Sequence, residues 1–379
     1  VTRILKMTEL VLMLLAVFGL LSGGVYYLMS VLFLAGVQST FFGPIKYGAL
    51  PKLLEKQELI GANALIEMST FLAILLGMLI GSVVPTYSYG YQWLSLILVI
   101  VAMCGLGTSM YVPKLVGEPT IKLNFNIFTG LYDSFKNVYA DKYSFLCIIA
   151  ISWFWLLGAV FLAVLPNYTR IHLLADPKVY SILISVFACG IAIGSLLCNK
   201  ILKGSVDATF VPLSGLLMSI CFLDVYFNAP IAITGDLMIL KEFLHLSSNW
   251  HFIIDVFLIS CCGGIYIVPL YAIIQDRAPT SHKARIIAGN NVFNAIFMTV
   301  GMLSLSLALY FHVTIPKIFL VVALINFYVV FKLCRLLPGA LIRSIVRGIL
   351  NFLFKVEITG QENLKNAGDR VVITPNHTS

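Results

Sequence analysis

One carboxylate lies inside a long apolar run: Glu67, within ELIGANALIEMSTFLAILLG (Glu58–Gly77). Asn63, four residues earlier, and Thr70, three later, share its face if the run is helical. A carboxylate at bilayer depth is costly unless it faces a cavity or a partner. Glu67 therefore reads either as a cavity or gating group or as an interfacial carboxylate paired with Lys46. On the other side of the same run, Ser69, Ala73, Gly77 and Gly81 form a small-xxx-small stripe that predicts close helix packing. Gln38 and Lys46 flank a Gly43–Pro44 break, and Lys46 can attract a phosphate or reach to the membrane surface. Asn290, Asn291 and Asn294 crowd the start of a later apolar run, where they can cap it, bond between helices or line a polar route.

The remaining candidates read as less telling. Glu9 lies near the end of its span at one membrane face, and Asp224 and Asp255 both lie near the other face, where the interface can hydrate them. Trp153 and Trp155 suit lipid contact or an aromatic belt. The eight cysteines (Cys104, Cys147, Cys189, Cys198, Cys221, Cys261, Cys262 and Cys334) contain no CxxC pair. They predict neither a disulfide framework nor a metal site. Walker, HExxH and GxSxG patterns are missing from the sequence, which argues against ATP-driven pumping and hydrolysis. No cofactor is expected.

The elements that hold these groups follow from composition. Of 379 residues, 60% are hydrophobic and only 11% charged, and mean hydropathy is +0.97. A soluble chain carries about 25% charged residues, so the apolar surface here belongs in a bilayer. Ten stretches approach the roughly 20 residues a membrane helix needs. They lie near Leu5–Leu21, Val25–Phe42, Ala62–Val84, Gln92–Val112, Tyr143–Leu165, Val179–Asn199, Ala208–Phe227, Phe252–Ile274, Ile286–Phe311 and Ile315–Leu333. Lysine and arginine concentrate in one set of loops, for example at Lys46, Lys52, Lys56, Lys114, Lys142, Lys200, Lys203, Arg277 and Arg285. The other set holds only Arg170, Lys178, Lys241 and Lys317. That bias places both termini in the cytoplasm. It also explains the net charge of +8 without nucleic acid.

Two junctions look alike. GPIKYGALPKLLEKQELIGANALIE (Gly43–Glu67) and VPLYAIIQDRAPTSHKARIIAGNNVFN (Val268–Asn294) each have a Pro closing one helix, a nearby Tyr, a basic loop and Gly-x-Asn opening the next helix. They lie six spans apart, as a six-helix duplication requires. Six spans follow the longest loop and four precede it, so a twelve-helix design predicts two further helices ahead of Val1. The predicted organisation is a four-span remnant of an N-terminal bundle at 1–112, an inter-bundle loop at 113–142 and a six-helix bundle at 143–335. An amphipathic interfacial helix follows at 336–356, carrying Arg343 and Arg347, and then a polar segment at 357–379 with a short strand at Val371–Thr374.

Two resemblances attach to these residues. FFGPIKYGALP, ELIGANALIEMSTFLAILLG and IVPLYAIIQDRAPTSHKARIIAGNNVFNA are similar to the bacterial lysophospholipid transporter branch of the major facilitator superfamily. The end of the tail, ITGQENL, a short apolar strand and Asn376-His377-Thr378-Ser379, resembles the opening of the glycerolipid acyltransferases. In that family the histidine is a general base oriented by an Asp four residues beyond it, so the resemblance makes His377 that base in a motif cut short. Together they imply an all-α polytopic membrane protein: a major facilitator fold lacking its first two helices, with the start of an α/β acyltransferase domain at the C-terminus. The implied function is inward transport of lysophosphatidylethanolamine across the inner membrane for re-acylation. The implied partners are the lysophospholipid, membrane lipids and a cytoplasmic acyltransferase/acyl-carrier-protein synthetase; acyl transfer by this chain itself is not expected. A drug or organic-ion exporter, and the membrane anchor of an acyltransferase, are the competing expectations.

Overall fold

In a computed structural model, residues 1–113, 135–136, 138–139, 141–230, 235–278, 283–336 and 340–353 are described. They form α1 (Thr2–Ser22), α2 (Val25–Leu53), α3 (Leu59–Val83), α4 (Gly90–Ser109), α5 (Lys142–Ile171), α6 (Pro177–Leu202) and α7 (Val211–Phe227). The chain continues through α8 (Leu240–His245), α9 (Ser247–Arg277), α10 (Lys283–Tyr310), α11 (Ile315–Leu336) and α12 (Ala340–Leu353). Among the described residues there is no sheet, only an isolated bridge between Ala175 and Met238. Nine of the helices are long and apolar enough to cross a membrane, and α7 is a shorter apolar helix. All ten stretches expected from the sequence are therefore helical, and the protein is a multi-pass membrane protein.

Helix ends are set by local chemistry. Gly23, with φ 74, closes α1 in the left-handed conformation that glycine adopts without steric cost. Asp141 accepts the amides of Tyr143 and Ser144 to start α5, and Asp176 accepts those of Lys178 and Val179 to start α6 behind Pro177. Each fills amide valences that a helix start leaves open.

The prolines overturn one expectation. Pro44 and Pro269 do not close helices: α2 runs through Pro44 and Pro51 to Leu53, and α9 runs through Pro269 to Arg277. There is accordingly no break at Gly43–Pro44. A proline forfeits one backbone bond, whereas leaving the helix inside a bilayer would strand several, so membrane helices carry proline internally.

The densest packing is among α3, α5, α6, α7, α9 and α11. Phe161, Phe187, Phe222, Phe319 and Tyr168 form a buried aromatic core there. α6 and α9 approach closely through Gly190 and Gly194. A Cβ on Gly190 would strike Ser260, one on Gly194 the Cys261 carbonyl, and one on Gly264 the Ile191 carbonyl. The GxxxG expectation of close packing holds at this contact. The stripe on α3 does not behave that way: Ser69 and Ala73 are exposed, and Gly77 and Gly81 have open space where a Cβ would be. Instead the polar face of α3 packs, with Ile60, Asn63, Ala64, Glu67, Phe71 and Leu75 all buried. Exposed Phe18, Leu32, Phe33 and Leu96 on α1, α2 and α4 suit a surface solvated by lipid.

α12 displays Ile342, Ile345, Val346, Ile349, Leu350 and Leu353 as one exposed apolar stripe at helical spacing. The tail at 354–379, with His377 and the predicted strand, and nearly all of the predicted inter-bundle loop lie outside the described residues.

Candidate functional site

The buried face of α3 repeats every four residues, and two of its members are polar: Asn63 and Glu67, both fully buried. Helix α2 supplies the partner for Glu67. The Tyr47 hydroxyl donates to Glu67 Oε1 at 2.8 Å, while Oε2 is buried without any hydrogen bond. The Tyr47 ring lies flat on Tyr271 of α9, with centroids 4.5 Å apart and planes at 2°. The Tyr271 hydroxyl accepts from Trp155 Nε1 of α5 at 2.9 Å. Lys46 sits 4.6 Å over the Tyr47 ring and within electrostatic range of Glu67. Asn290 of α10 lies in polar contact with the Tyr271 hydroxyl, but neither polar atom of its buried side chain has a hydrogen bond of good geometry. Phe71, one turn beyond Glu67, stacks on Trp155 and meets Phe154 and Phe187 edge-on.

The result is a largely buried cluster holding one carboxylate, one ammonium, two phenols, an indole and an amide, drawn from both the first four helices and the later ones. A buried polar atom with no partner costs about 1–3 kcal/mol. Glu67 Oε2 and both polar atoms of Asn290 carry such costs at one place.

A lock lies on the basic-loop side of this cluster. Asn63 Nδ2 donates to Gln275 Oε1 at 2.7 Å, and Gln275 Nε2 returns a bond to Asn63 Oδ1 at 3.1 Å. Both amides are buried. Lys56 and Asp276 close an ion pair at 2.7 Å nearer the surface. Three glycines allow the close approach. A Cβ on Gly43 would meet Asn291 Nδ2 at 2.7 Å, one on Gly204 the Gln57 carbonyl at 2.7 Å, and one on Gly61 would touch Asn199 at 3.4 Å. The two look-alike junctions thus meet each other: α2 touches α9 and α10, and α3 touches α9. Full burial along α3 runs from Leu59 to Leu75, with Met78 and Leu79 beyond it still packed against the core, so the polar grip at Asn63 and Lys56 sits at the basic-loop end of a longer apolar contact.

Of the residues singled out from sequence, Lys46, Asn63, Glu67 and Asn290 come together here. Asn291 sits against Gly43, and Asn294 accepts from Ser152 of α5 at 2.7 Å. These three asparagines stand inside α10 rather than at its start, because that helix begins at Lys283. Gln38 lies apart and donates to the Leu5 carbonyl between α1 and α2 at 3.0 Å. Glu9 pairs with Lys6 at 2.6 Å. Trp153 and Trp155 belong to no belt: Trp153 is buried and donates to Asn326 at 2.7 Å. Asp255 is buried rather than hydrated.

Sequence reasoning missed Gln275 and assigned no pairing to Tyr47, Tyr271 or Trp155. One signal was present for the tyrosines: each follows the proline of its junction by two or three residues.

Comparison with known proteins agrees with this architecture. The family model for the Major Facilitator Superfamily matches residues 5–302. The lysophospholipid transporter LplT of Shigella flexneri serotype 5b (strain 8401) is 25% identical over 284 residues, covering 72% of this chain and 65% of that protein. LplT of Pectobacterium carotovorum is 28% identical over 286 residues, covering 73% and 63%. The chain therefore spans somewhat less than two thirds of the length of these curated relatives. Among solved structures, the Escherichia coli fucose:proton symporter FucP matches with a TM-score of 0.63 at 14% identity, covering 88% of this chain and 83% of that one. A FucP structure in the outward conformation gives 0.64 at 13%, covering 88% and 82%. At such identities the likeness is one of fold.

Proposed function

Because the chain belongs to the major facilitator superfamily, we propose that it moves lysophospholipids such as lysophosphatidylethanolamine inward across the bacterial inner membrane, for re-acylation at the cytoplasmic face. The observation that carries this reading is the cluster of unbonded buried polar atoms at Glu67 and Asn290, beside Lys46 and between the two helix groups. An ethanolamine ammonium supplies the donor that Glu67 Oε2 lacks, and Lys46 supplies a cation for the phosphate. The aromatic wall of Phe71, Phe154, Trp155 and Phe187 supplies an apolar margin for the acyl chain. The relatives named as lysophospholipid transporters favour the same substrate.

The basic loops put the lock and both termini at the cytoplasm. Transport then requires two states. In one the cytoplasmic lock is closed, as here; in the other the Asn63–Gln275 and Lys56–Asp276 bonds part and the helix groups rock about the Tyr47–Tyr271 contact. The first four helices act as one moving group and 143–335 as the other. α12 lies along the cytoplasmic membrane surface, as its exposed apolar stripe suits. The segment 357–379 resembles the opening of the glycerolipid acyltransferases, with His377 at the position of their base, and re-acylation itself falls to a cytoplasmic acyltransferase/acyl-carrier-protein synthetase as partner.

The test is uptake of radiolabelled lysophosphatidylethanolamine by spheroplasts expressing the chain. Glu67→Ala should lower uptake at least tenfold at equal protein level. Full lysolipid uptake by that variant, alongside lost export of organic cations, would assign the protein to drug export instead.

A further inference from the structure

Far from the lock, at the other end of the later helices, α7 and α9 bring Asp224, His251 and Asp255 together. One ligand atom from each lies within 4.8 Å of the others. His251 and Asp255 are four residues apart on α9 and so share a face, while Asp224 arrives from the last turn of α7. His251 Nε2 stands 2.7 Å from Asp224 Oδ2. Asn228 Nδ2 donates to Asp224 Oδ1 at 3.0 Å and fixes that carboxylate.

Asp255 has no comparable support. It is only 5% exposed and faces the Asp224 carboxylate at hydrogen-bonding range, a contact that needs either a shared proton or a cation. Two carboxylates turned toward each other, one of them buried and one partly exposed, repel unless a proton or a cation lies between them. Beside them is a cavity of about 60 Å³, lined by Asp255, His251, Asn228, Asn249, Ser248 and Tyr168. It has room for one or two waters, each needing about 30 Å³.

We propose that Asp224, His251 and Asp255 form a binding site for a divalent transition-metal ion of the zinc class, clamping α7 to α9. The donor set decides the class. Calcium and magnesium take oxygen ligands throughout, whereas an imidazole with two carboxylates suits zinc and its neighbours. Three protein ligands plus a water from the adjoining cavity complete a four-coordinate shell. Asn228 orients Asp224 as an outer-shell partner. Because both helices belong to the same helix group, the ion stabilises that group and does not bridge the moving interface.

The experiment is calorimetric titration of the purified chain in detergent, stripped with chelator, using zinc chloride and, separately, magnesium chloride at neutral pH. Thermal unfolding is followed in parallel. Wild type should bind one zinc per chain and unfold at a higher temperature with zinc present, with no response to magnesium. His251→Ala and Asp255→Asn should each weaken zinc binding by more than the about 10–100-fold typical of losing an outer-shell partner. Asp255→Asn relieves the carboxylate repulsion, so it keeps the fold intact for the measurement. No zinc binding by wild type would overturn the site, including the case where Asp255→Asn alone raises the unfolding temperature because the pair had shared a proton. Unchanged zinc affinity in both variants would overturn it equally.

Discussion

Replacing Asn63 with alanine should unfasten the basic-loop end. Its side chain makes a reciprocal pair with Gln275 at 2.7 and 3.1 Å, buried on both sides. Each bond is worth about 1 kcal/mol net, so the change removes roughly 2 kcal/mol from the closed arrangement. That arrangement is the one in which the pair forms, so the loss falls on the conformational equilibrium. At about 1.4 kcal/mol per decade, the closed:open ratio should fall roughly 30-fold. Spin labels on cysteines at Lys52 and Lys203, both exposed at that end, read the distance between the two helix groups. The exposed Cys104 and Cys189 should first be replaced. Wild type should give one short distance, and Asn63→Ala a second, longer population. Asn294→Ala is the control, because its bond to Ser152 joins α5 and α10 within one helix group and should leave the distribution unchanged. An Asn63→Ala distribution identical to wild type would refute the lock.

Gly194→Leu should cost about 1–3 kcal/mol by overpacking, because a side chain there meets the Cys261 backbone on α9; a lowered unfolding temperature in detergent checks it. Asp141→Ala should remove about 1 kcal/mol of helix capping in a pH-dependent way. Burial pushes the Asp141 carboxyl up, yet the Ser144 hydroxyl, the amides of Ser144 and Tyr143 and the nearby Arg277 outweigh it and hold the group below its ordinary 3.8. A folded value below the unfolded one means the stabilisation is complete above the unfolded value and lost as pH falls through the folded one. The difference between wild type and variant should therefore be constant at neutral pH and vanish in acid below the ordinary carboxylate range.

The helices were legible because a bilayer leaves little choice: each apolar run of sufficient length must satisfy its own backbone. Their ends were less so. Pro44 and Pro269 read as stops under soluble-protein rules, and the same bilayer argument carries the helix past them. Glu67 and Asn63 were legible as polar residues four apart in an apolar run. Their environment was not, since the pairing of Tyr47 with Tyr271 and of Asn63 with Gln275 crosses more than two hundred residues of chain. The small residues from Ser69 to Gly81 misled for a related reason. Small side chains permit close packing without compelling it, whereas a buried carboxylate and amide must find partners, and it is their face that packs.

The central claim is that the Glu67, Lys46 and Asn290 cluster receives the head group of a lysophospholipid. Equilibrium binding of radiolabelled lysophosphatidylethanolamine to the chain in nanodiscs tests it most directly, with wild type, Glu67→Gln, Asn290→Ala and Gln38→Ala compared side by side. Saturable binding should weaken at least tenfold in the first two variants and stay at the wild-type level in Gln38→Ala, whose side chain bonds the Leu5 carbonyl between α1 and α2. Equal affinity across all four proteins would contradict the claim.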